Sequence, residues 1–397
     1  MTVAFVFEIF YPVVNGIVTS THTLAQHLVA RGHRVIYLAP QWKASTIREL
    51  DGIPVYYIAS YEAFVYPGMR NVVPWSRQVR GVLEREQVDI VHSTGPWLLN
   101  WAALRAARKL GLVSVQTFHT MLQEASYVRY FTHSDALVPV IQAIAWKYFG
   151  LYMRRSDAVT GPSRHVQEEL ERRYPGARVH HIPNGIDTAA FRPLPDPAQT
   201  RRRYPMLNER SLVFVGRLGP EKSLDRLING VSLAMREDAE LRLLIIGDGP
   251  GRHAYEQQVR ELRLQHRVFF LGRLAPQELQ TGGLLHHAIA NVTASTTESF
   301  GMTVIEAMAA GTTSIVPDVP GISELTSGTG LTFDRDRLDD LARQIMRVVG
   351  EPGLRARLEA ACAARVAEFD GGRIADRFEE LYLQALNTRR TERVVPA

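Results

Sequence analysis

Short apolar runs and amphipathic stretches alternate along almost the whole chain. Val3–Phe7, Arg34–Ala39, Asp89–His92, Val113–Phe118 and Ala158–Thr160 are rich in β-branched or aromatic residues, the pattern of strands buried on both faces. Between the first two, Leu24, Ala25 and Leu28 recur at helical spacing over Thr21–Arg31, and Gly32 stands where such a helix would end. A second series follows: Leu212–Val215, Leu241–Ile246, Arg267–Leu271, Ala290–Ala294 and Ser314–Val316. Helical patterns such as Ser223–Met235 and Met302–Ala310 separate its members. Alternation of this kind predicts an α/β fold, with parallel sheets covered by helices on both faces.

Pro193, Pro195, Pro197 and the run Arg201-Arg202-Arg203-Tyr204-Pro205 interrupt the periodicity, as a surface linker does. The expected organisation is two doubly wound, Rossmann-like domains, residues 1–190 and 191–372, whose strand C-termini face a central cleft. Residues from Ala360 to about Arg389 read as helical. The last stretch, 373–397, is expected to return to the first domain, with a frayed tail after Thr388.

Composition narrows the class. Apolar residues make up 46% and charged residues 22%, which excludes disorder, collagen and coiled coil. The formal charge of +5 is too dilute over 397 residues to indicate nucleic acid, but a local cationic patch suits an anionic substrate or an acidic membrane surface. A single cysteine, Cys362, rules out an intrachain disulfide and a cysteine-based zinc site, and points to a reducing cytoplasm. Met1 leads directly into a strand pattern without a basic leader, and no apolar stretch approaches membrane-spanning length.

Chemistry gathers at the predicted strand ends. The loop Phe10–Thr19 lacks both the dinucleotide fingerprint and the P-loop, which counts against hydride transfer and ordinary ATP hydrolysis. Asn15-Gly16 can present backbone amides to a phosphate or can be a plain turn. Val215-Gly216-Arg217-Leu218-Gly219-Pro220-Glu221-Lys222 places two glycines and two cations at a strand end, a rim suited to a diphosphate. Gly247-Asp248-Gly249-Pro250 repeats the glycine pattern and reads more readily as turn chemistry. In Glu298–Ala307, two carboxylates flank Gly301; on one helix they would stand roughly 12 Å apart, too far for an acid/base pair. The better reading leaves Glu298 in a loop and Glu306 one turn inside a helix, with amides near Gly301, Met302 and Thr303 facing an anion.

The run from Thr297 to Gly311 resembles the EX7E signature of the family 4 retaining glycosyltransferases, enzymes of GT-B fold. Asn15-Gly16, Leu28–Arg34, His119-Thr120, Asn184-Gly185-Ile186-Asp187, Gly216-Arg217 with Glu221-Lys222, Gly272-Arg273-Leu274 and Pro320–Glu324 match that family in order. The resemblance implies a nucleotide-sugar donor held by the C-terminal domain and an acceptor held by the N-terminal one. Arg217 and Lys222 would neutralise the diphosphate, and Glu306 would receive the ribose hydroxyls. Glu298 would orient the donor sugar, helped by the amides of Phe300, Gly301, Met302 and Thr303. Gly16 would close the phosphate site from the opposite domain, His119 would sit beside the sugar, and Arg273 with Leu274 would lie near the base. His119, Glu298, Arg217 and Lys222 form the implied catalytic set. No metal site and no cofactor are expected, since the cations replace an obligatory Mg²⁺. The resemblance also implies retention of configuration by a front-face mechanism assisted by the leaving phosphate, and a close carboxylate pair of the kind retaining glycosidases use is not apparent in the sequence.

Acceptor signals lie in the N-terminal half. Tyr66–Arg85 mixes Met69, Val72, Val73 and Trp75 with Arg70, Arg77, Arg80 and Arg85. Leu137–Arg155 mixes Ile141, Ile144, Trp146, Tyr148, Phe149, Leu151 and Tyr152 with Lys147, Arg154 and Arg155. Such stretches suit an anionic membrane surface or serve as ordinary core helices. Thr117–Met121 with Tyr127–Tyr130 and Thr293–Glu298 resembles the glycolipid-forming branch, which moves glucose from UDP-glucose to diacylglycerol, whereas Gln123–Ser126 departs from its pattern. The favoured expectation is UDP-glucose-like donor, membrane-lipid acceptor, and a cytoplasmic protein peripheral at the inner face of the plasma membrane. Soluble acceptors (an aminocyclitol, inositol phosphate or polysaccharide) and GDP-mannose are the alternatives. A non-catalytic sugar-nucleotide sensor fits less well, because Glu298, Glu306, Arg217, Lys222 and His119 are all present. The cations are interleaved with acids, so no nucleic-acid partner is expected.

Overall fold

The computed structural model describes residues 1–11, 15–42, 46–62, 70–73, 76–119, 128, 132 and 134–394, with 392–394 as backbone only. They fall into two units: residues 1–186 with 371–397, and residues 187–370.

In unit 1 the strands are β1 (Thr2–Val6), β2 (Arg34–Pro40), β3 (Glu49–Leu50), β4 (Ile53–Ile58), β5 (Ser60–Glu62), β6 (Arg70–Val72), β7 (Ile90–Ser93), β8 (Val113–Thr117), β9 (Ala158–Gly161) and β10 (Val179–His181). Among the described residues the main sheet runs β10-β9-β8-β7-β1-β2-β4-β3, parallel except for the β3–β4 pair. Side-chain alternation splits β1 between two cores. Val3 and Phe5 pack with Tyr37, Leu28, Ile374, Phe378 and Tyr382, while Ala4 and Val6 pack with Ile36, Leu38, Leu99 and Ala103. Burial on both faces explains why these strands read as unbroken apolar runs. Asn15 caps helix Gly16–Ala30 by accepting the Val18 N–H at 3.0 Å, so the Asn-Gly pair is a helix start rather than a plain turn.

Unit 2 contains β11 (Ser211–Val215), β12 (Arg242–Ile246), β13 (Val268–Gly272), β14 (Ala290–Val292), β15 (Ser314–Pro317) and β16 (Gly330–Phe333). They form a parallel sheet in the order β13-β12-β11-β14-β15-β16. Chain order reverses between β11 and β14, and the loops leaving that switch point carry the candidate site.

Several expectations need correction. The proline-rich segment is not a structureless linker throughout: Asp196 accepts the amides of Ala198 and Gln199 and starts a helix at Pro197–Arg203. Helicity after Ala360 is broken, with one helix ending at Arg365, a 3₁₀ turn at Val366–Phe369, and a new helix at Gly371–Val394. That last helix continues past Thr388, where fraying was expected. Arg389 explains the continuation: it pairs with Asp157 at 3.2 Å and donates to the Leu112 carbonyl at 3.2 Å. Strands β3, β4, β5, β6, β10 and β16 were not among the expected strands. Tyr66, Met69, Trp75, Thr120, Met121, Gln123–Ser126, Tyr127, Arg129 and Tyr130 lie outside the described residues.

Candidate active site

Unit 2 assembles most of the residues singled out from sequence. Beyond β11 the chain runs through Gly216 to Lys222 and ends in a 3₁₀ turn at Pro220–Lys222. A second glycine loop, Gly247–Gly251, folds onto it. Gly247 adopts φ +139, and a Cβ there would meet the Gly216 carbonyl at 1.8 Å. The Leu218 amide donates to Asp248 at 3.1 Å, and the Gly251 amide donates to Leu218 at 2.8 Å. The Gly247-Asp248-Gly249-Pro250 motif thus shapes the cationic loop by backbone contact, a role that glycine alone can fill here.

From the adjacent β14, the chain runs through Thr293–Phe300 to Gly301, whose φ of +102 starts helix Met302–Ala309. The two loops are stitched together where Ser295 Oγ and Thr297 Oγ1 donate to the Glu221 carbonyl, at 3.3 and 3.4 Å. Lys222 Nζ then donates to Glu298 Oε1. Gly321 allows a third loop to approach: a Cβ there would lie 2.8 Å from the Glu298 carbonyl. Ser295, Glu221 and Gly321 fall inside motifs noted in the sequence, but their roles were not legible there, because they are backbone contacts between distant segments.

Electrostatics divide the two glutamates. Burial pushes the Glu298 carboxyl up, but the Lys222 ammonium and a Ser295 hydrogen bond outweigh it, leaving its pKa below the ordinary value. Glu306, on the fifth position of its helix, has no such cation, and burial raises it to about 7. Arg217 is part-exposed, with Glu221 at 3.9 Å. Phe300 is buried against Phe369, Met302 and Thr303 are half-buried at the helix start, Arg273 is exposed, and Leu274 is half-buried beyond β13. Arg252, unnoticed in the sequence, flanks the same edge with its guanidinium 3.7 Å from where a Gly272 Cβ would stand.

Gly16 and His119 belong to unit 1. Gly16 is the first residue of its helix. His119 follows β8, and burial depresses it to about 4, so it is a neutral imidazole at pH 7. Next to it, buried His92 is held at about 3 by burial and by His119. His92 bonds the Tyr382 hydroxyl at 2.5 Å and Thr117 Oγ1 at 2.7 Å. Among the described residues, no cluster of His, Cys, Asp and Glu could hold a metal ion, and no helix is long and apolar enough to cross a membrane.

A helix start that no side chain caps, an arginine, a lysine and two carboxylates of different basicity make a site for a phosphorylated, hydroxyl-rich ligand. Two family models match the chain: Glycosyltransferase Family 4 over residues 14–190, and Glycosyl transferases group 1 over residues 199–365. A GDP-mannose-dependent alpha-mannosyltransferase of Mycolicibacterium smegmatis is 34% identical over 85% of this chain and 85% of its own length. The chain belongs to glycosyltransferase family 4. This glycosyltransferase is also 25% identical to an alpha-monoglucosyldiacylglycerol synthase of Streptococcus pneumoniae, over 96% of this chain and 85% of the relative. Its fold matches Anabaena HepE in complex with UDP (TM-score 0.76, 19% identity, 97% and 100% of the two chains covered). Sucrose-phosphate synthase from Thermosynechococcus elongatus matches equally well (TM-score 0.77, 21% identity, 98% and 99% covered). The glycosyltransferase therefore has the GT-B fold of two Rossmann-like domains, and it is a hexosyltransferase that uses a nucleotide sugar.

Proposed function

We propose that this glycosyltransferase moves a mannosyl group from GDP-mannose, with retention of configuration, to a hydroxyl of a membrane-lipid acceptor. The observation that carries the donor half is the Lys222–Glu298 pair beside the start of helix Met302–Ala309. Lys222 and Arg217 take up charge that builds on the departing diphosphate, and the helix-start amides add to it. Glu298 orients sugar hydroxyls and Glu306 receives those of the ribose. The acceptor oxygen bonds to the anomeric carbon on the face the phosphate leaves, and its proton passes to a phosphate oxygen. His119 borders the sugar as a neutral group. The cations and amides carry the charge without a divalent metal.

Mannose ranks first because relatives described as GDP-mannose-dependent alpha-mannosyltransferases reach 34% and 30% identity. A second reading, glucosyl transfer from UDP-glucose to diacylglycerol, is favoured by the synthase that aligns over 389 residues. The diacylglycerol in that synthase's name supports a membrane-lipid acceptor. In keeping with that, helix Val138–Met153 buries Phe149 and Tyr152 and leaves Val140 and Ile144 exposed at 52% and 62%.

The test is thermal unfolding with GDP-mannose and UDP-glucose, followed by mass spectrometry of lipids from vesicles incubated with each. Binding at 100 times Kd stabilises by about 2.7 kcal/mol, a shift of roughly 5–10 °C for domains of this size. If neither nucleotide sugar moves the transition, the donor assignment fails.

A further inference from the structure

The loops of the candidate active site in unit 2 rest on a residue outside them. Helix Pro352–Arg365 ends in Arg365, whose guanidinium spreads over one short segment. Nη1 donates to the Leu325 carbonyl at 2.7 Å and to the Ser327 carbonyl at 3.1 Å, and Nη2 donates to the Glu324 carbonyl at 3.3 Å. One turn earlier, Cys362 Sγ donates to the Thr329 carbonyl at 3.3 Å. The gripped segment is the C-terminal end of helix Ile322–Thr326. Five residues are too few for a helix to hold itself, and its last carbonyls need donors from elsewhere.

The other end of that short helix meets the site. Gly321, with φ +89, brings it so close that a Cβ there would stand 2.8 Å from the Glu298 carbonyl and 3.4 Å from that of Ser299. Ile322 and Leu325 lie 3.2 and 3.4 Å from where a Gly301 Cβ would be. Segment Glu298–Gly301 therefore leans on helix Ile322–Thr326. Through Phe300 it also leans on Phe369, their ring centroids 6.0 Å apart. Arg365 touches both supports, since its Cζ lies 5.8 Å from the centroid of the Phe369 ring. All of these residues belong to unit 2.

We propose that Arg365 is a positioning residue for the transfer: by tying helix Ile322–Thr326 to Phe369, it fixes where the Glu298 carboxylate meets the donor sugar. Its influence falls on the sugar half of the site, because Arg217 and Lys222, the cations for the diphosphate, come from the loop after β11. The inference rests on the proposed role of Glu298 in orienting that sugar.

The experiment follows turnover of GDP-mannose or UDP-glucose by Arg365→Gln with phosphatidylglycerol vesicles containing diacylglycerol, and measures the affinity for GDP or UDP by titration calorimetry. A loosened Glu298 should lower kcat roughly 10–100-fold, with the nucleotide Kd within about threefold of wild type. Arg365→Lys, whose ammonium can stand in for Nη1 but not for the whole fork, should fall between the two, and it carries the test if Arg365→Gln does not fold. In a Glu298→Gln background, Arg365→Gln should lower kcat by less than about threefold further, since the carboxylate it positions is gone. A kcat that stays at the wild-type value, or effects that multiply in the double variant, overturn this inference alone. So does a loss of nucleotide affinity in step with kcat, which would make Arg365 a support of the whole domain. If the wild type turns over neither donor, the proposed function fails and this inference falls with it.

Discussion

The ammonium of Lys222 donates to the carboxylate of Glu298 across 76 residues of sequence. Each group thereby meets the burial cost of the other, and Glu298 stays ionised in a place where an isolated carboxyl would not. On the proposed function, an arriving diphosphate would meet a lysine already held beside Glu298.

Replacing Lys222 by Gln should therefore act twice. It removes a charge-assisted bond to the diphosphate, worth about 1.5–3 kcal/mol, or roughly 10–100-fold in affinity for GDP or UDP. It also lets burial raise the Glu298 pKa above its ordinary value. Titration calorimetry measures the first effect, and an affinity within twofold of wild type would contradict it.

Glu306 gives a pH-dependent stability. Its pKa is about 7 in the folded protein against 4.5 unfolded, so the native state holds a proton that the unfolded chain releases between those values. Stability falls as pH rises from 4.5 to 7 and stays reduced above. Glu306→Gln should remove that loss, stabilising by on the order of 2–3 kcal/mol at pH 8 and little at pH 4.5, while weakening nucleotide binding. Denaturant unfolding at both pH values checks the sign; equal effects would refute it.

Tyr382 supplies the hydrogen bond that satisfies His92. Tyr382→Phe leaves a buried ring nitrogen without that bond and should cost about 1–3 kcal/mol. Because His92 titrates near 3 in the folded state, the unfolded chain takes up a proton first as pH falls below 6.5. Stability should then decline through the acid range, and urea unfolding at pH 7 and 5 reads both effects.

Ile144 and Val140 stand one turn apart on an exposed helix face ending at Lys147. If this face meets lipid, Ile144→Asp should reduce co-sedimentation with phosphatidylglycerol vesicles at least tenfold, with the melting temperature unchanged. Undiminished sedimentation would place the contact elsewhere.

Much of the architecture was written in local pattern. The apolar runs at Val3–Phe7 and Leu212–Val215 read as strands because a helix cover on both faces demands it of each residue. Gly301 and Glu306 were legible as a helix start and a residue one turn inside. Where reading failed, the missing information was not local. Asp196 turned an apparent linker into a helix by capping two amides, and Arg389 held the last helix past its expected end through Asp157, far away in sequence. Strand β16 begins at Gly330, two residues after Gly328 in a turn, so its strand signal is weak, and it is held by pairing with β15.

The sequence by itself determined the class of fold, the order of its elements and the residue types able to hold a phosphorylated sugar, since these depend on neighbours a few positions away. Only the tertiary structure decided which charges meet. Lys222 finding Glu298 and His92 finding Tyr382 across 290 residues depend on segments distant in sequence brought side by side. Burial there sets whether a carboxyl or an imidazole is charged, and burial is a property of the packed chain.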